Sequence, residues 1–485
     1  MATGSRHPFA QDREGFDALG GETIRMLGAY LRALPDKPVD RVVPKEVRQR
    51  LISLPLPEQG QSPEEILAFL QREIMPWPIA TGHKRSYGWV NSPPAPISLL
   101  ADAVASTMDC GLDGFDHSAI FLMASLGRWI MELVGFPTEG SLCLLLSGGS
   151  SATLNALTTA RHRAAARDGW NMRTEGLQGG RKKLILYSSA ESHSSIQKCT
   201  EQLGIGTDNL RAIEADSEFR MKPTALRAAI EADLKAGHLP FAIVACGGAT
   251  NTGAIDPLDD IADIAAAFDI WLHVDGAFGA WAALDAAYHD QFRAFARVDS
   301  VTLNPHKWLQ VPIDCGALLT RHPEAHRAAY SLTPDYLEAG RSEALWPYEH
   351  VFQLTYGNRA LKVWAAIARL GRAGVAELVT RCNGLAKLLE QRVRETPDLE
   401  LLSPASLAVV NFRYRPAGHD ESALDDLNER VSEAISASGE AHIPTTRIHG
   451  KISLRACFLH YENDEGDVEH LLALVRRIGR VLTQP

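Results

Sequence analysis

Residues 241–277 read FAIVACGGATNTGAIDPLDDIADIAAAFDIWLHVDGA, and the architecture is decided here. Phe241–Ala245 is an apolar run of strand length, Pro257–Phe268 fits a helix, and Ile270–Val274 is a second apolar run. Strand, helix and strand in succession form the unit that joins neighbouring parallel strands through a helical crossover. The same alternation extends outward. Leu142–Leu146, Leu184–Tyr187, Leu210–Ile213, Ser300–Leu303 and Ala317–Leu319 are further strand candidates. Helices are predicted from about Ala152 to Ala165, after Ser194, and over Thr224–Leu234. Residues 140–320 are therefore predicted to be an α/β layer with a mostly parallel central sheet.

The flanks differ. After a helix near Gly357–Leu370, helices at about 376–395, 422–437 and 465–482 mix with strands at about 408–413 and 452–457, which reads as a smaller α+β domain. At the other end Phe16, Leu19, Ile24, Leu27 and Leu31 recur at helical spacing over 12–34. Ser62-Pro63-Glu64-Glu65 is a capping box opening a second helix. Proline-rich connectors surround these helices, so residues 1–90 have little core of their own and are predicted to pack on something else, such as a second subunit. The expected division is 1–90, a helical dimerisation segment; 91–375, a large ligand-binding domain; and 376–485, the small domain.

Composition narrows the function. With 485 residues, two or three domains are expected. A 45% hydrophobic and 22% charged chain is neither disordered nor fibrous. A net charge of −10 gives no bulk attraction to nucleic acid or anionic membrane. No apolar run reaches the ~20 residues of a spanning helix, and MATGSRHPFAQDREGF lacks the apolar core of a signal peptide. Seven scattered cysteines without a C-x-x-C pair suit reduced thiols in the cytoplasm. No metal site is predicted.

Three stretches can carry chemistry, each at the carboxyl end of a predicted strand. Ser147-Gly148-Gly149-Ser150-Ser151-Ala152-Thr153 lies between a strand and a helix. Such a turn can cradle a phosphate on free N–H groups, can be a plain capped turn, or can present Ser150 as a hydrolase nucleophile. In the hydrolase case His442, His449 and His460 are the available late histidines. Asp275, in His273-Val274-Asp275-Gly276-Ala277, ends a strand beside tiny residues that allow a ligand close approach. Lys307, in Asn304-Pro305-His306-Lys307-Trp308, is either a loop lysine or an amine whose surroundings lower its pKa from ~10.4. On one parallel sheet these meet at the strands' carboxyl ends. Pyridoxal phosphate needs all three: a phosphate cradle, an acid for the pyridine nitrogen and a lysine for the aldehyde. His193, in Ser192-His193-Ser194-Ser195, is either a solvated residue at a helix start or a ring stacked flat on that cofactor.

These motifs, in this order, resemble the group II pyridoxal-phosphate decarboxylases, the family of aromatic-L-amino-acid decarboxylase. The likeness runs from about Gly82 to the last helix, and Asn304-Pro305-His306-Lys307-Trp308 is its most specific element. The resemblance implies fold type I, the aspartate aminotransferase-like architecture of pyridoxal-phosphate-dependent transferases. It implies α-decarboxylation of an L-amino acid, more specifically an aromatic one, through a Schiff base on Lys307. An aldehyde synthase on the same scaffold is the alternative, and a serine hydrolase using Ser150 is a remote one. It implies that Asp275 pairs with the pyridine nitrogen, and that His193 and Ala277 flank the ring. Gly149, Ser150 and Asn304 hold the phosphate, His306 is a further cofactor-binding residue, Thr250 lies by the ring hydroxyl, and Asp256 supports that loop. Tyr336, in Thr333-Pro334-Asp335-Tyr336-Leu337, falls at the family's mobile-loop tyrosine. The family is an intertwined homodimer with shared active sites. Three places depart from its pattern. Tyr87-Gly88-Trp89-Val90-Asn91 replaces a more aromatic, proline-containing segment that touches substrate, which makes Trp89 the candidate substrate contact. The stretch around His117 differs, and Met123 stands at a glutamate position.

Overall fold

The computed structural model describes residues 7–112, 116–178, 181–332 and 345–484. Its central sheet contains β1 (Leu142–Leu146), β2 (Leu184–Ser189), β3 (Leu210–Ile213), β4 (Leu239–Cys246), β5 (Trp271–Asp275), β6 (Ser300–Leu303) and β7 (Gly316–Thr320). The order is β1-β7-β6-β5-β4-β2-β3. The strands β6, β5, β4, β2 and β3 run parallel, whereas β7 is antiparallel to both its neighbours. The mostly parallel α/β layer is thus as the alternation implied. Every residue of β1 and β2 is buried, which explains why these strands read as unbroken apolar runs. Helix Gly149–Arg167 starts from the end of β1 and packs on the sheet through Ala152, Ala156, Leu157 and Ala160.

A second, antiparallel sheet has the order β10-β11-β9-β8. Its strands are β8 (Leu399–Leu401), β9 (Val409–Tyr414), β10 (Thr445–Ile448) and β11 (Lys451–Cys457). Helices Glu421–Ser438 and Glu465–Thr483 pack with it around Phe412, Leu427, Leu454 and Leu471. Helix Ala360–Glu395 links the two layers and breaks at Gly371, whose φ of 64° and ψ of 175° leave the helical region. The N-terminal helix expected over 12–34 is two helices, Pro8–Glu14 and Phe16–Ala33, which meet at Gly15. Helix Phe16–Ala33 buries no residue, and Ile52 and Leu56 are each 87% exposed. The capping box is formed: the Glu65 N–H donates to Ser62 Oγ at 3.2 Å, and the Ser62 N–H donates to Glu65 Oε2 at 2.9 Å.

Asp256 ties β4 to the connection beyond β3. Its two carboxylate oxygens accept the N–H groups of Met221 and Cys246, each at 2.7 Å. Burial pushes its pKa up to about 6. The folded state therefore favours the neutral carboxyl, and this group's contribution to stability falls as pH rises from about 4 to about 6. In Asp256→Asn the amide NH₂ meets one of the two N–H groups donor to donor. The variant is expected to lose about 1–3 kcal/mol at pH 7 and to lose that pH dependence. Urea unfolding at pH 4, 6 and 7 measures both.

Candidate active site

The carboxyl ends of β1, β4, β5 and β6 open on a cavity of about 500 Å³. Gly149, Ser150, His193, Thr250, Asp275, Ala277, Asn304, His306 and Lys307 all line it, as does Trp89 at its mouth. Tyr336 lies outside the described residues.

On one side helix Gly149–Arg167 aims its N-terminus at the cavity. The first intrahelical bond from its own N–H groups is that of Ala152 to the Gly148 carbonyl, so the N–H groups of residues 149–151 have no helical partner. Little room is left beside Gly149. A Cβ on it would lie 3.2 Å from the Ala277 Cβ and from Asn304 Nδ2, and 3.3 Å from Asn304 Oδ1. Asn304 is buried, with Oδ1 unpartnered. Its Nδ2 lies 3.5 Å from Nε2 of His306. His306 Nδ1 accepts the Cys315 N–H at 3.1 Å, and burial pushes its pKa down to about 4. The neutral ring therefore carries its proton on Nε2, and two donors face each other. The conflict and the orphaned oxygen resolve together when the amide presents its oxygen to Nε2–H and its NH₂ toward Gly149. That arrangement puts an extra donor beside the helix N-terminus, which fits the phosphate of pyridoxal phosphate.

Opposite, Asp275 ends β5 in register with Cys246 and Thr302 of the flanking strands. One oxygen, Oδ1, accepts the Ala277 N–H at 3.1 Å. Lys307 follows β6 in the short helix Pro305–Trp308. Trp308 stacks on Phe278, with ring centroids 4.8 Å apart, and Ser92 Oγ donates to the Lys307 carbonyl. Burial pushes the Lys307 ammonium below its ordinary pKa, and the Asp275 carboxylate opposes that shift. His193 accepts the Ser195 N–H on Nδ1 at 3.2 Å and contacts Ser195 Oγ at 2.9 Å. When neutral, its proton is thus on Nε2. His193 is exposed.

Arg455 was not anticipated. It comes from β11, lines the cavity and is 6% exposed. Its Nη2 donates to the Thr250 carbonyl at 2.6 Å, while Nε is unpartnered. Burial lowers its pKa. The signal available was a lone charge within the otherwise uncharged run Ile452–Cys457. The three late histidines do not serve Ser150. His442 faces Asp40, His449 stacks on Phe219, and His460 Nδ1 accepts the Glu462 N–H.

A lysine, a carboxylate and a phosphate cradle at the carboxyl edge of a parallel sheet define a pyridoxal-phosphate enzyme. Residues 44–415 match the family described as the pyridoxal-dependent decarboxylase conserved domain, and the chain belongs to that family. It is similar to the aromatic-L-amino-acid decarboxylase of Bacillus atrophaeus, 28% identical over 95% of this chain and 94% of the relative. It is also similar to the L-2,4-diaminobutyrate decarboxylase of Rhizobium meliloti (strain 1021), 31% identical over 88% and 84%. The structure of Oryza sativa TDC with PLP and tryptamine superposes with a TM-score of 0.91, 24% identity and coverage of 97% and 99%. That of Rhodiola rosea 4-hydroxyphenylacetaldehyde synthase gives 0.87, 25%, 97% and 99%. The protein is a pyridoxal-phosphate-dependent carboxy-lyase of fold type I, and the serine-hydrolase reading is set aside. Among the described residues no helix is long and apolar enough to cross a membrane.

Proposed function

We propose that the chain decarboxylates an aromatic L-amino acid to its amine in the cytoplasm, as a homodimer. The observation that carries this reading is the convergence of Lys307, Asp275 and the helix N-terminus at Gly149 on one cavity with the buried cation Arg455. The name of the Bacillus atrophaeus relative supports the aromatic substrate. Bound pyridoxal phosphate supplies an electron sink for charge developing at the substrate α-carbon. Gly149, Ser150, Asn304 and His306 hold the phosphate, and Thr250 faces the ring hydroxyl. Asp275 keeps a proton on the pyridine nitrogen. His193 and Ala277 hold the ring between them. Lys307, whose ammonium form burial disfavours, would supply the amine that fixes the aldehyde. Arg455, already desolvated, suits an anionic group such as a carboxylate, and Trp89 meets the substrate side chain. Carbon dioxide and amine release from a panel of amino acids tests the reading. It fails if no aromatic amino acid is turned over.

The apolar residues left exposed on helices Phe16–Ala33 and Pro96–Met108, among them Ile24, Leu27, Leu100 and Val104, support the homodimer. Removal of residues 1–80 is expected to reduce the dimer to monomer or aggregate on a sizing column. A soluble active dimer contradicts it.

Tyr336 is proposed as the proton donor to the α-carbon. A phenol with pKa ~10 retains its proton at neutral pH and yields it to a carbon base. Tyr336→Phe is expected to slow amine formation by roughly 10²–10⁴-fold. Without that proton the electron-rich carbon is left to react with dioxygen and water, releasing aldehyde, ammonia and hydrogen peroxide. Amine and aldehyde yields from one substrate separate decarboxylase from aldehyde synthase in wild type and variant alike.

A further inference from the structure

We propose that His442 and Asp40, neither of which lines the cavity, are positioning residues that set Trp89 at its mouth and thereby the affinity for the substrate side chain. The proposal rests on reading the cavity as an amino-acid decarboxylase site.

Trp89 has a φ of 53°, a left-handed conformation that a bulky residue holds only when its surroundings impose it. The surroundings are visible on both sides. Before it, Tyr87 is fully buried, and its hydroxyl donates to the Asp467 carbonyl at 3.1 Å. The Tyr87 N–H donates to the His442 carbonyl at 2.8 Å, and the Tyr87 carbonyl accepts the Cys457 N–H at 3.1 Å. The His442 N–H in turn donates to the Arg85 carbonyl at 3.1 Å. Residues 85–87 are thus laced between His442 and the end of β11. After it, Ser92 is fastened to the Lys307 carbonyl.

Gly88 is the remaining link, and His442 occupies the space its side chain would need. A Cβ on Gly88 would lie 2.6 Å from His442 Cδ2 and 2.7 Å from Nε2. The imidazole is held in that place from behind. Its Nδ1 lies 3.3 Å from Asp40 Oδ2 and 3.3 Å from Ser436 Oγ. Asp40 is delivered by the N-terminal arm, where the Val39 N–H donates to the Gly439 carbonyl at 2.8 Å. The Trp89 and His442 rings are 6.2 Å apart and inclined at 49°. A chain of close contacts thus runs from Asp40 through His442 and Gly88 to the half-exposed indole.

The test uses full-length, cofactor-loaded enzyme and one accepted substrate. His442→Ala is expected to raise KM roughly tenfold with kcat within about twofold, the pattern of lost uniform binding. Gly88→Ala forces the imidazole out and is expected to do the same. In a His442→Ala background, however, the added methyl enters vacated space and costs nothing further, so the two effects are strongly non-additive. Asp40→Ala should shift KM in the same direction. Emission of Trp89, taken as the difference between each variant and its Trp89→Phe counterpart, reports the indole's surroundings independently of turnover. It should change with His442→Ala and with Gly88→Ala, and by no more when the two are combined. An unchanged KM and Trp89 emission in His442→Ala overturns the proposal, as does a Gly88→Ala effect that is equal with and without His442. A wild type that decarboxylates nothing refutes the functional reading instead, and the emission cycle then decides the positioning by itself.

Discussion

Lys307→Ala is expected to bring decarboxylation down to background and to abolish covalent attachment of the cofactor. Its backbone is fixed twice, by Ser92 at the carbonyl and by the Phe278–Trp308 stack on the next residue, so the amine reaches one place. Burial has already shifted it toward the neutral, nucleophilic form. Alanine supplies no amine, and no other lysine lines the cavity among the described residues. Borohydride treatment of wild type should fix the cofactor on the peptide containing residues 304–308, and that peptide should be unlabelled in the variant. Label on another lysine would remove Lys307 from its proposed role. A stability measurement tests the same burial. A lysine whose folded pKa lies below its unfolded value, ~10.4, disfavours the fold while protonated. That penalty is present below the folded pKa and is relieved as pH rises toward the unfolded one. Cofactor-free wild type should therefore gain stability relative to Lys307→Ala as pH is raised through that window.

What could be read in advance follows from how each element is buried. The strands β4 and β5 lie inside a parallel sheet, so their sequences are apolar runs, and a crossover helix between them leaves few topologies. The motifs at Gly149, Asp275, Asn304 and Lys307 sit where strands end, so their convergence on one cavity followed once the sheet was parallel. Helices Pro96–Met108 and Ser118–Val134 were not anticipated. The second buries Ala119, Ile120, Met123, Leu126 and Ile130, and the first leaves Ile97, Leu100 and Val104 exposed. Both are mostly apolar, with one charged residue in the first and two in the second, so the polar face of each is thinly marked. The strand β8 has only three residues, and β10 reads Thr445-Thr446-Arg447-Ile448, with no apolar run to mark it. Arg455 and His442 were hidden for a different reason. Arg455 reaches the cavity from β11 and His442 meets the Arg85–Tyr87 segment from just before β10, each more than two hundred residues from the Gly149 turn, and sequence distance says nothing of such a meeting. The departure at Met123 now has a setting, since the residue is 2% exposed and belongs to the main hydrophobic core.

Asp275→Asn is expected to leave the fold and cofactor binding intact while reducing turnover by about 10²–10⁴-fold. The geometry permits so selective a loss. Asp275 Oδ1 accepts the Ala277 N–H at 3.1 Å, and an asparagine oxygen can keep that bond, so the turn after β5 survives. The second position changes from an anionic acceptor into an NH₂ donor. A pyridinium facing it loses its counter-charge and meets a donor, so the ring nitrogen releases its proton. The stated range corresponds to about 3–5 kcal/mol of lost stabilisation of the charge developing at the α-carbon, at 1.36 kcal/mol per factor of ten. The loss should fall on kcat rather than on KM, because the proton matters most when negative charge develops at the α-carbon. Asp275 also supports the charge on Lys307, so in the cofactor-free variant the Lys307 amine should titrate lower than in cofactor-free wild type, measured by the pH dependence of its acylation. Near-normal kcat in a cofactor-replete Asp275→Asn enzyme would show that the carboxylate does not hold the ring proton.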